Sequence, residues 1–405
     1  MAGDSPVNGR VTDDERLARA ALTYLAEPSD LQLGKAVARD GAVRTLAAIR
    51  TGQYAAESRG NPAAKAAAER ALARWQVRLG ELPDADDLAR FRRQGIRLVC
   101  PGDPEWPSRL EDLGTAAPYA LWARGHGDVR FGCVRSVAVV GSRAATAYGS
   151  YVAAEIAATV AARGWTVVSG AAYGVDAAAH RGALGAGGLT VAVLACGVDR
   201  PYPAGHKDLL DAIAENGVVV SEWPPGRNVT RLRFLVRNRV IAALSVGTLV
   251  VEAGERSGAL NTARHARDLQ RRLMAVPGPV TSQQSGGCHT IIRDWGGTLV
   301  TGAADVLEMV TPLGEAPDDG DPSGGSPGGA DRATAGRAKP VLSRDALDLE
   351  SATVLDALPT RVGIGTTAVA ARAGLDPVTV VRCLGALAAT GFAERCAGGW
   401  RVRRS

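Results

Sequence analysis

The chain has 405 residues, of which 46% are hydrophobic and 22% charged, a composition typical of a soluble globular protein with two or three domains. Its net charge of +5 favours an anionic partner. No run of about 18 apolar residues occurs and no apolar signal segment follows the acidic start, so we expect a cytoplasmic protein without a membrane span. The six cysteines lack metal-ligand spacing, so we expect no metal.

The first part of the chain predicts two segments of different character. Residues 1–80 predict a small helical domain, because Ala, Leu and Arg dominate and apolar residues recur at a spacing of three to four. Residues 81–135 predict a bridging segment, because Pro101-Gly102 and Trp106-Pro107 favour turns and prevent a long helix.

Residues 136–311 alternate between short Val-rich stretches and amphipathic stretches. This alternation is typical of an α/β fold in which helices cover both faces of a parallel sheet. We therefore predict a Rossmann-like, doubly wound domain over 136–311. The predicted strands are Ser136–Val140, Thr166–Ser169, Thr190–Ala195, Gly217–Ser221, Thr248–Glu252 and Leu273–Val276.

The remaining residues predict a linker and a third domain. Residues 312–341 are rich in Gly, Pro, Asp and Ser and predict a flexible linker, since they offer little apolar surface. Residues 342–405 predict a winged helix-turn-helix domain, with helices over 366–373 and 376–389 and short strands near the end. Two roles stay open for this domain, namely docking to a duplex or protein, and dimerisation or capping. The second of these helices offers only Arg382 as a cation.

The first predicted strand ends in Gly141-Ser142-Arg143, directly before a predicted helix. A glycine here lets backbone N–H groups approach a phosphate, and the helix N-terminus favours negative charge. Arg143 can add a bidentate contact. We favour a phosphate site over a purely geometric need for glycine in the turn.

A second small-residue loop follows the next strand, and it contains Gly170, Gly174 and Asp176. It lies at the edge where open α/β sheets bind ligands. Asp176 and His180 are four residues apart and can face each other on one helix. An acid–base pair is possible, but we favour a structural hydrogen bond between them, because no nucleophile lies nearby in the sequence.

The loops lack the signatures of common nucleotide cofactors. The residues after Gly141 do not form G-x-G-x-x-G, and no acidic residue ends the second strand to hold a ribose. A G-x-x-x-x-G-K-[ST] loop is also missing. We therefore expect no nicotinamide, flavin or ATP cofactor.

Phe234 is one of only four phenylalanines, and it stands among cations and not in an apolar run. An aromatic face beside cations can hold a base and its phosphate together, which predicts a site for single-stranded nucleic acid. The alternative is that Phe234 anchors a helix that begins near Arg237. The neighbouring polar residues are Arg231, Arg233, Arg237, Asn238 and Arg239.

Glu252 and the residues after it follow another Val-rich strand. Glu252 can be a general base, but we favour an ion pair that orients Arg237 or Arg239. Ser257-Gly258 then predicts the start of a helix and a third anion site, with Thr262 as a further donor.

These motifs, taken in order, resemble the DNA-processing protein A family, also called DprA or Smf. The resemblance covers about Ser136 to Leu299. One difference is Leu235, where many members have proline after the phenylalanine. The matching residues are Gly141-Ser142-Arg143, Ser169-Gly170-x-Ala172-x-Gly174-x-Asp176, Tyr202-Pro203, Ser221-Glu222, Phe234-x-x-Arg237-Asn238-Arg239, Glu252 and Ser257-Gly258-x-Leu260-x-Thr262-Ala263.

The resemblance implies a non-enzymatic protein that binds single-stranded DNA, protects it and loads the RecA recombinase onto it, chiefly in natural transformation. It also implies a homodimer formed through the Rossmann-like domain. By position, Gly141, Ser142 and Arg143 would hold phosphate, Phe234 would stack a base, and Arg237 and Arg239 would line the groove. Arg231 and Arg233 would add positive charge. The terminal regions resemble the accessory domains of the family, the first of them SAM-like.

Two other functions remain possible on sequence grounds. Phosphoribohydrolases share the Rossmann-like fold, but their P-G-G-x-G-T-x-x-E signature has no counterpart here, because residues 257–266 contain no carboxylate. A transcription regulator could use the C-terminal domain on duplex DNA and the large domain as a nucleotide sensor.

Overall fold

A nine-stranded sheet lies at the centre of the fold. The computed structural model describes residues 11–54, 62–312, 347–359, 362–396 and 398–403. The strands are β1 Ile96–Val99, β2 Leu121–Arg124, β3 Ser136–Val140, β4 Thr166–Ser169, β5 Thr190–Leu194, β6 Val218–Ser221, β7 Gly247–Val250, β8 Arg272–Ala275 and β9 Thr298–Leu299. Their order in the sheet is β1-β2-β6-β5-β4-β3-β7-β8-β9.

The seven strands from β6 to β9 in this order are parallel. Among the parallel strands, β3 comes first in the chain, and β4, β5 and β6 follow it one after another on one side. The next strand, β7, lies on the other side of β3. The direction in which successive strands are added to the sheet therefore reverses between β3 and β7. In open α/β sheets, a crevice for ligands forms at such a reversal, at the carboxyl ends of the strands.

Helices cover both faces of the sheet, as predicted for an α/β fold with a mostly parallel sheet. In β3, Val137 and Val139 pack into the core of one face, whereas Ala138 and Val140 pack into the core of the other. This double burial explains why β3 reads as a continuous apolar run. The helices are α5 Ala85–Arg93, α6 Val129–Val134, α7 Ala147–Ala162, α8 Val175–Gly185, α9 Lys207–Asn216, α10 Arg231–Leu244, α11 Ala259–Asp268, α12 Gly286–Asp294 and α13 Ala303–Val310.

The segment 81–135 contributes β1 and β2 to the sheet and is more than a bridge. β2 runs antiparallel to β6, and its residues Leu121, Trp122 and Ala123 are fully buried. Neither strand was predicted from the sequence, because each has only four residues and stands among turn-forming residues.

In the described residues before this segment, four helices form, namely α1 Asp13–Leu25, α2 Leu31–Asp40, α3 Ala42–Arg50 and α4 Pro62–Gln76. They share a core that includes Leu22, Leu33, Ile49 and Trp75. Asp30 caps α2 by accepting hydrogen bonds from the N–H groups of Gln32 and Leu33, which fixes where that helix begins.

The described residues from 347 onward form three helices and a hairpin, with α14 Leu349–Ala357, α15 Thr366–Ala373, α16 Pro377–Ala389, β10 Ala393–Cys396 and β11 Gly399–Val402. The helix α16 packs against both α7 and α8. Gly185 and Gly385 allow this close approach, because a Cβ atom on Gly185 would lie 2.6 Å from the Cα of Gly385. The predicted linker 312–341 lies outside the described residues apart from its first position.

Within the described ranges, no helix has both the length and the apolar character needed to cross a bilayer.

Candidate nucleic-acid interface

A groove of about 1130 Å³ opens at the carboxyl ends of β3 and β7, where the direction of strand addition reverses. It is bounded by the loops after these strands and by the first turns of α10 and α11. Its lining includes Gly141, Ser142, Arg143, Asp176, Tyr202, Arg231, Phe234, Arg237, Asn238, Arg256, Ser257, Gly258, Thr262 and Arg264. The structure thus brings together most of the residues that the sequence analysis singled out.

Two glycines let the loops after β3 and β4 pack against each other. A Cβ atom on Gly141 would lie 2.6 Å from Cγ2 of Val175 and 2.9 Å from the carbonyl oxygen of Glu252. Gly174 has a φ of +76°, and a Cβ atom there would lie 2.2 Å from the carbonyl oxygen of Ser142. Close packing therefore requires glycine at both positions, whether or not a phosphate binds.

Phe234 lies at the mouth of the groove, in the first turn of α10. This helix begins at Arg231, not near Arg237, because Thr230 caps it by accepting a hydrogen bond from the N–H of Arg233. The Phe234 ring is half-buried, and the Arg143 guanidinium lies over it, with its carbon 4.5 Å from the ring centroid. The ring of Tyr202 lies 5.4 Å from it, tilted by 48°. Two aromatic rings and an exposed cation therefore lie together.

Arg237 lines the floor of the groove and is only 4% exposed. Its Nη1 donates to the Val193 carbonyl oxygen at 2.5 Å, whereas its Nε is buried and unpaired in the described structure. Burial lowers the pKa of Arg237 to about 10, an effect that the nearby Asp176 opposes. Gly170 makes room for this guanidinium, because a Cβ atom there would lie 2.0 Å from Nη1.

The predicted hydrogen bond between Asp176 and His180 does not form. Asp176 accepts hydrogen bonds from the N–H groups of Gly170 and Ala172, at 3.2 and 3.4 Å. Burial raises the pKa of Asp176, with Arg237 acting in the opposite direction. His180 instead pairs through Nδ1 with the hydroxyl of Thr190 at 2.7 Å. The two residues therefore have different partners.

We expected Glu252 to form an ion pair that orients an arginine, but its partner is Thr146. Its carboxylate accepts hydrogen bonds from the N–H of Thr146 at 2.9 Å and from the hydroxyl of Thr146 at 2.6 Å. Thr146 is the N-cap of α7. The carboxylate therefore fixes the start of the helix that follows Arg143, and both of its oxygens are engaged.

The four arginines around Phe234 point in different directions. Arg231 is exposed and lines the groove. Arg233 lies outside the groove and pairs with Glu27, in the turn between α1 and α2, with Nη2 to Oε1 at 2.6 Å. Arg239 is buried and makes two bonds of 2.6 Å to the carboxylate of Glu222. The structure thus corrects the expectation that Arg239 lines the groove, and Arg233 lies outside the lining as well.

The start of α11 closes one side of the groove. The side-chain amide of Asn238 donates to the carbonyl oxygen of Gly258 at 3.3 Å and to the side-chain oxygen of Asn261 at 3.2 Å, which ties α10 to this start. The hydroxyl of Ser257 accepts a hydrogen bond from the N–H of Ala259 at 3.3 Å. Thr262 is buried but borders the groove.

Three groove residues were missed or underrated in the sequence analysis. From the sequence, Tyr202 was matched only as part of the family motif Tyr202-Pro203, and no place in a groove was predicted for it. Arg256 and Arg264 line the groove. Arg256 directly precedes Ser257-Gly258 and could have been found there, whereas the side to which Arg264 points depends on the rotation of α11.

These features define a class of protein, namely an α/β fold with a mostly parallel sheet whose groove, at the reversal point of the sheet, combines helix N-termini, exposed arginines and aromatic rings. Comparison with known proteins makes the assignment specific. The family model of DNA recombination-mediator protein A matches residues 97–311. The chain belongs to this family.

Relatives support the assignment over the whole chain. The putative DNA processing protein DprA of Mycobacterium tuberculosis is 42% identical over 403 residues, which covers 97% of this chain and 96% of the relative. The DNA processing protein DprA of Bacillus subtilis is 34% identical over 55% of this chain and 73% of its own. The solved structure of DNA processing protein A from Streptococcus pneumoniae aligns with a TM-score of 0.59 and 29% identity, covering 74% of this chain and 99% of that one.

Proposed function

We propose that the chain binds single-stranded DNA in the groove, with a base stacked on Phe234 and phosphates held by Arg143, Arg231 and the loop of Gly141 and Ser142. The observation that carries the proposal is the position of the Arg143 guanidinium, 4.5 Å from the Phe234 ring centroid at the groove mouth. An aromatic ring and an exposed cation in contact can bind a base and its phosphate at the same time.

The geometry favours an unpaired strand over a duplex. Stacking on Phe234 and Tyr202 requires the face of a base, and duplex bases present only their edges. The buried Arg237 and the N-terminus of α11 add positive potential to the lining of the groove. Such a site tolerates any sequence, because every base has a π-face.

The biological role that we propose is DNA processing in recombination and natural transformation, with RecA loaded onto the bound strand. Family membership and the names of the relatives support this role. We further propose a homodimer formed through the Rossmann-like domain, a SAM-like domain for the N-terminal helices, and a winged-helix domain for the C-terminal helices and hairpin. Sedimentation and RecA ATPase assays on DNA-bound protein test the dimer and the partner.

We propose that the protein is not an enzyme. Both oxygens of Glu252 are engaged by Thr146, and the start of α11 carries no carboxylate where a phosphoribohydrolase needs its acid. Release of ribose 5-phosphate from nucleoside monophosphates by the purified protein would overturn this proposal.

The direct test of the DNA proposal is a comparison of labelled single-stranded and duplex oligonucleotides of the same sequence by fluorescence anisotropy at one fixed salt concentration. We expect preferential binding of the single strand. Equal or tighter binding of the duplex would contradict the proposal.

A further inference from the structure

Trp295 is a second aromatic surface beside the groove, directly after α12. It is half-buried and packs partly on the core below α11. The guanidinium carbons of Arg264 and Arg267 lie 5.4 and 5.1 Å from the ring centroids of this tryptophan. This arrangement has the same components as the Phe234 site, namely a ring and exposed arginines over it.

Arg264 connects the two sites, because it both lines the groove and covers Trp295. Arg264 and Arg267 are three residues apart on α11 and therefore share one face of that helix. From Gly258 at the start of α11 to Arg267, the helix extends roughly 14 Å at about 1.5 Å per residue. The only carboxylate paired with either arginine in the described structure is that of Asp268, 3.9 Å from Arg267.

We propose that a single strand that fills the groove continues along this face of α11 and places a further base at Trp295, held by Arg264 and Arg267. This proposal rests on the proposed binding of single-stranded DNA. Bases stack on arginine planes as well as on aromatic rings, so the two guanidinium groups can take part in the stack. Short strands fill only the groove, and longer strands reach both sites.

Tryptophan fluorescence can report on this site with little interference. The chain has seven tryptophans, and the other six are at most 6% exposed. DNA that stacks at Trp295 will therefore quench the one tryptophan that solvent and ligand reach.

The experiment titrates the full-length protein with oligodeoxythymidines of about 4 and about 16 nucleotides, which bracket known site sizes. Anisotropy of labelled DNA reports binding, and tryptophan emission reports contact with Trp295. We expect both lengths to bind but only the longer one to quench. Arg267→Ala should lower the affinity for the longer oligonucleotide on the order of tenfold and reduce the quenching. It should have little effect on the affinity for the shorter one.

Arg163→Ala is the matched control, because Arg163 is exposed directly after α7, which packs on the opposite face of the sheet from α11 and Trp295. Trp295→Leu should abolish the quenching, and Arg267→Ala keeps the test open if that variant does not fold. Saturating binding of the longer oligonucleotide with unchanged emission would overturn the Trp295 site and leave the groove intact. Failure of both lengths to bind would overturn the proposed function itself.

Discussion

At the scale of single residues, the proposed function assigns recognition of the base to Phe234. We predict that Phe234→Ala weakens binding of single-stranded DNA by about 1 to 3 kcal/mol, the usual value of one base stacked on one ring. Phe131→Ala is the control, because Phe131 is 72% exposed on α6, which leads into the amino end of β3. Equal affinities of the two variants in an anisotropy titration would contradict the stacking role.

Arg143 should contribute through charge and not through sequence readout. We predict that Arg143→Ala lowers affinity for all single strands and reduces the slope of log K against log salt by about one. The measurement is a set of titrations at several salt concentrations, with Arg163→Ala as the charge-matched control. An unchanged slope would remove Arg143 from the phosphate contacts.

Arg239 should matter for stability and not for DNA contact. Its charge is buried with that of Glu222, at 5% and 4% side-chain exposure. Removal of one partner of a buried pair leaves an uncompensated charge, so Arg239→Ala should lower the free energy of unfolding by about 3 to 5 kcal/mol. Arg233→Ala breaks a pair whose Glu27 is half-exposed and should cost about 1 kcal/mol or less. Urea denaturation distinguishes the two, and similar losses would contradict this assignment.

The residue types at the site could be predicted from the sequence, but the directions in which their side chains point could not. Arg231, Arg233, Arg237 and Arg239 lie on one helix, and successive residues on a helix rotate by about 100°. Only two of these four arginines line the groove. The partners Glu27 and Glu222 are distant or inconspicuous in the sequence, so the two ion pairs gave no local signal.

At the scale of elements, α16 limits what the C-terminal residues can do. In a helix-turn-helix domain, the second helix of the motif enters the major groove. Here α16 packs on α7 and α8, and its Arg382 pairs with Glu155 at 3.0 Å and with Glu350. In this arrangement the helix is not free to read a duplex, which counts against a transcription regulator that uses this helix.

A substitution at the contact of α16 with α8 tests whether the C-terminal residues serve stability or bind DNA directly. Gly185→Val should displace α16, because even a Cβ atom at this position would overlap the Gly385 backbone. We predict a lower melting temperature with single-strand affinity largely retained. Gly187→Val is a control for the loss of a glycine, since its Cβ position meets no atom within 4 Å, although its φ of +74° adds strain. Loss of DNA binding in Gly185→Val alone would favour a direct role of the C-terminal residues.

The six strands predicted from Val-rich runs all form, within one or two residues at their ends. A parallel strand buried on both faces is apolar throughout, so its signal is strong. β1 and β2 lie at the sheet edge among prolines and turns, so the same signal is weak there. Their place in the sheet depends on the pairing of β2 with β6, which no local pattern encodes.

At the scale of the whole molecule, burial links stability to pH. Burial lowers the pKa of His180 to about 3, from an ordinary value near 6.5. Between these values the unfolded chain binds a proton that the folded chain does not, so the free energy of unfolding should fall as the pH drops from 6.5 towards 3. We predict that the free energy of unfolding of His180→Gln falls less between about pH 7 and pH 5 than that of the unsubstituted protein, as measured by urea denaturation. An identical pH dependence of the two proteins would contradict this role of His180.

The groove itself is a product of the whole fold, because it joins loops after β3 and β7 with the starts of α10 and α11. Photo-cross-linking of oligodeoxythymidine to the full-length protein, followed by mass spectrometry of tryptic peptides, tests most directly whether DNA lies there. We predict adducts on the peptide that contains Phe234, abolished by an excess of unlabelled single strand and not by duplex. Adducts confined to peptides outside the groove and the adjoining face of α11 would contradict the account.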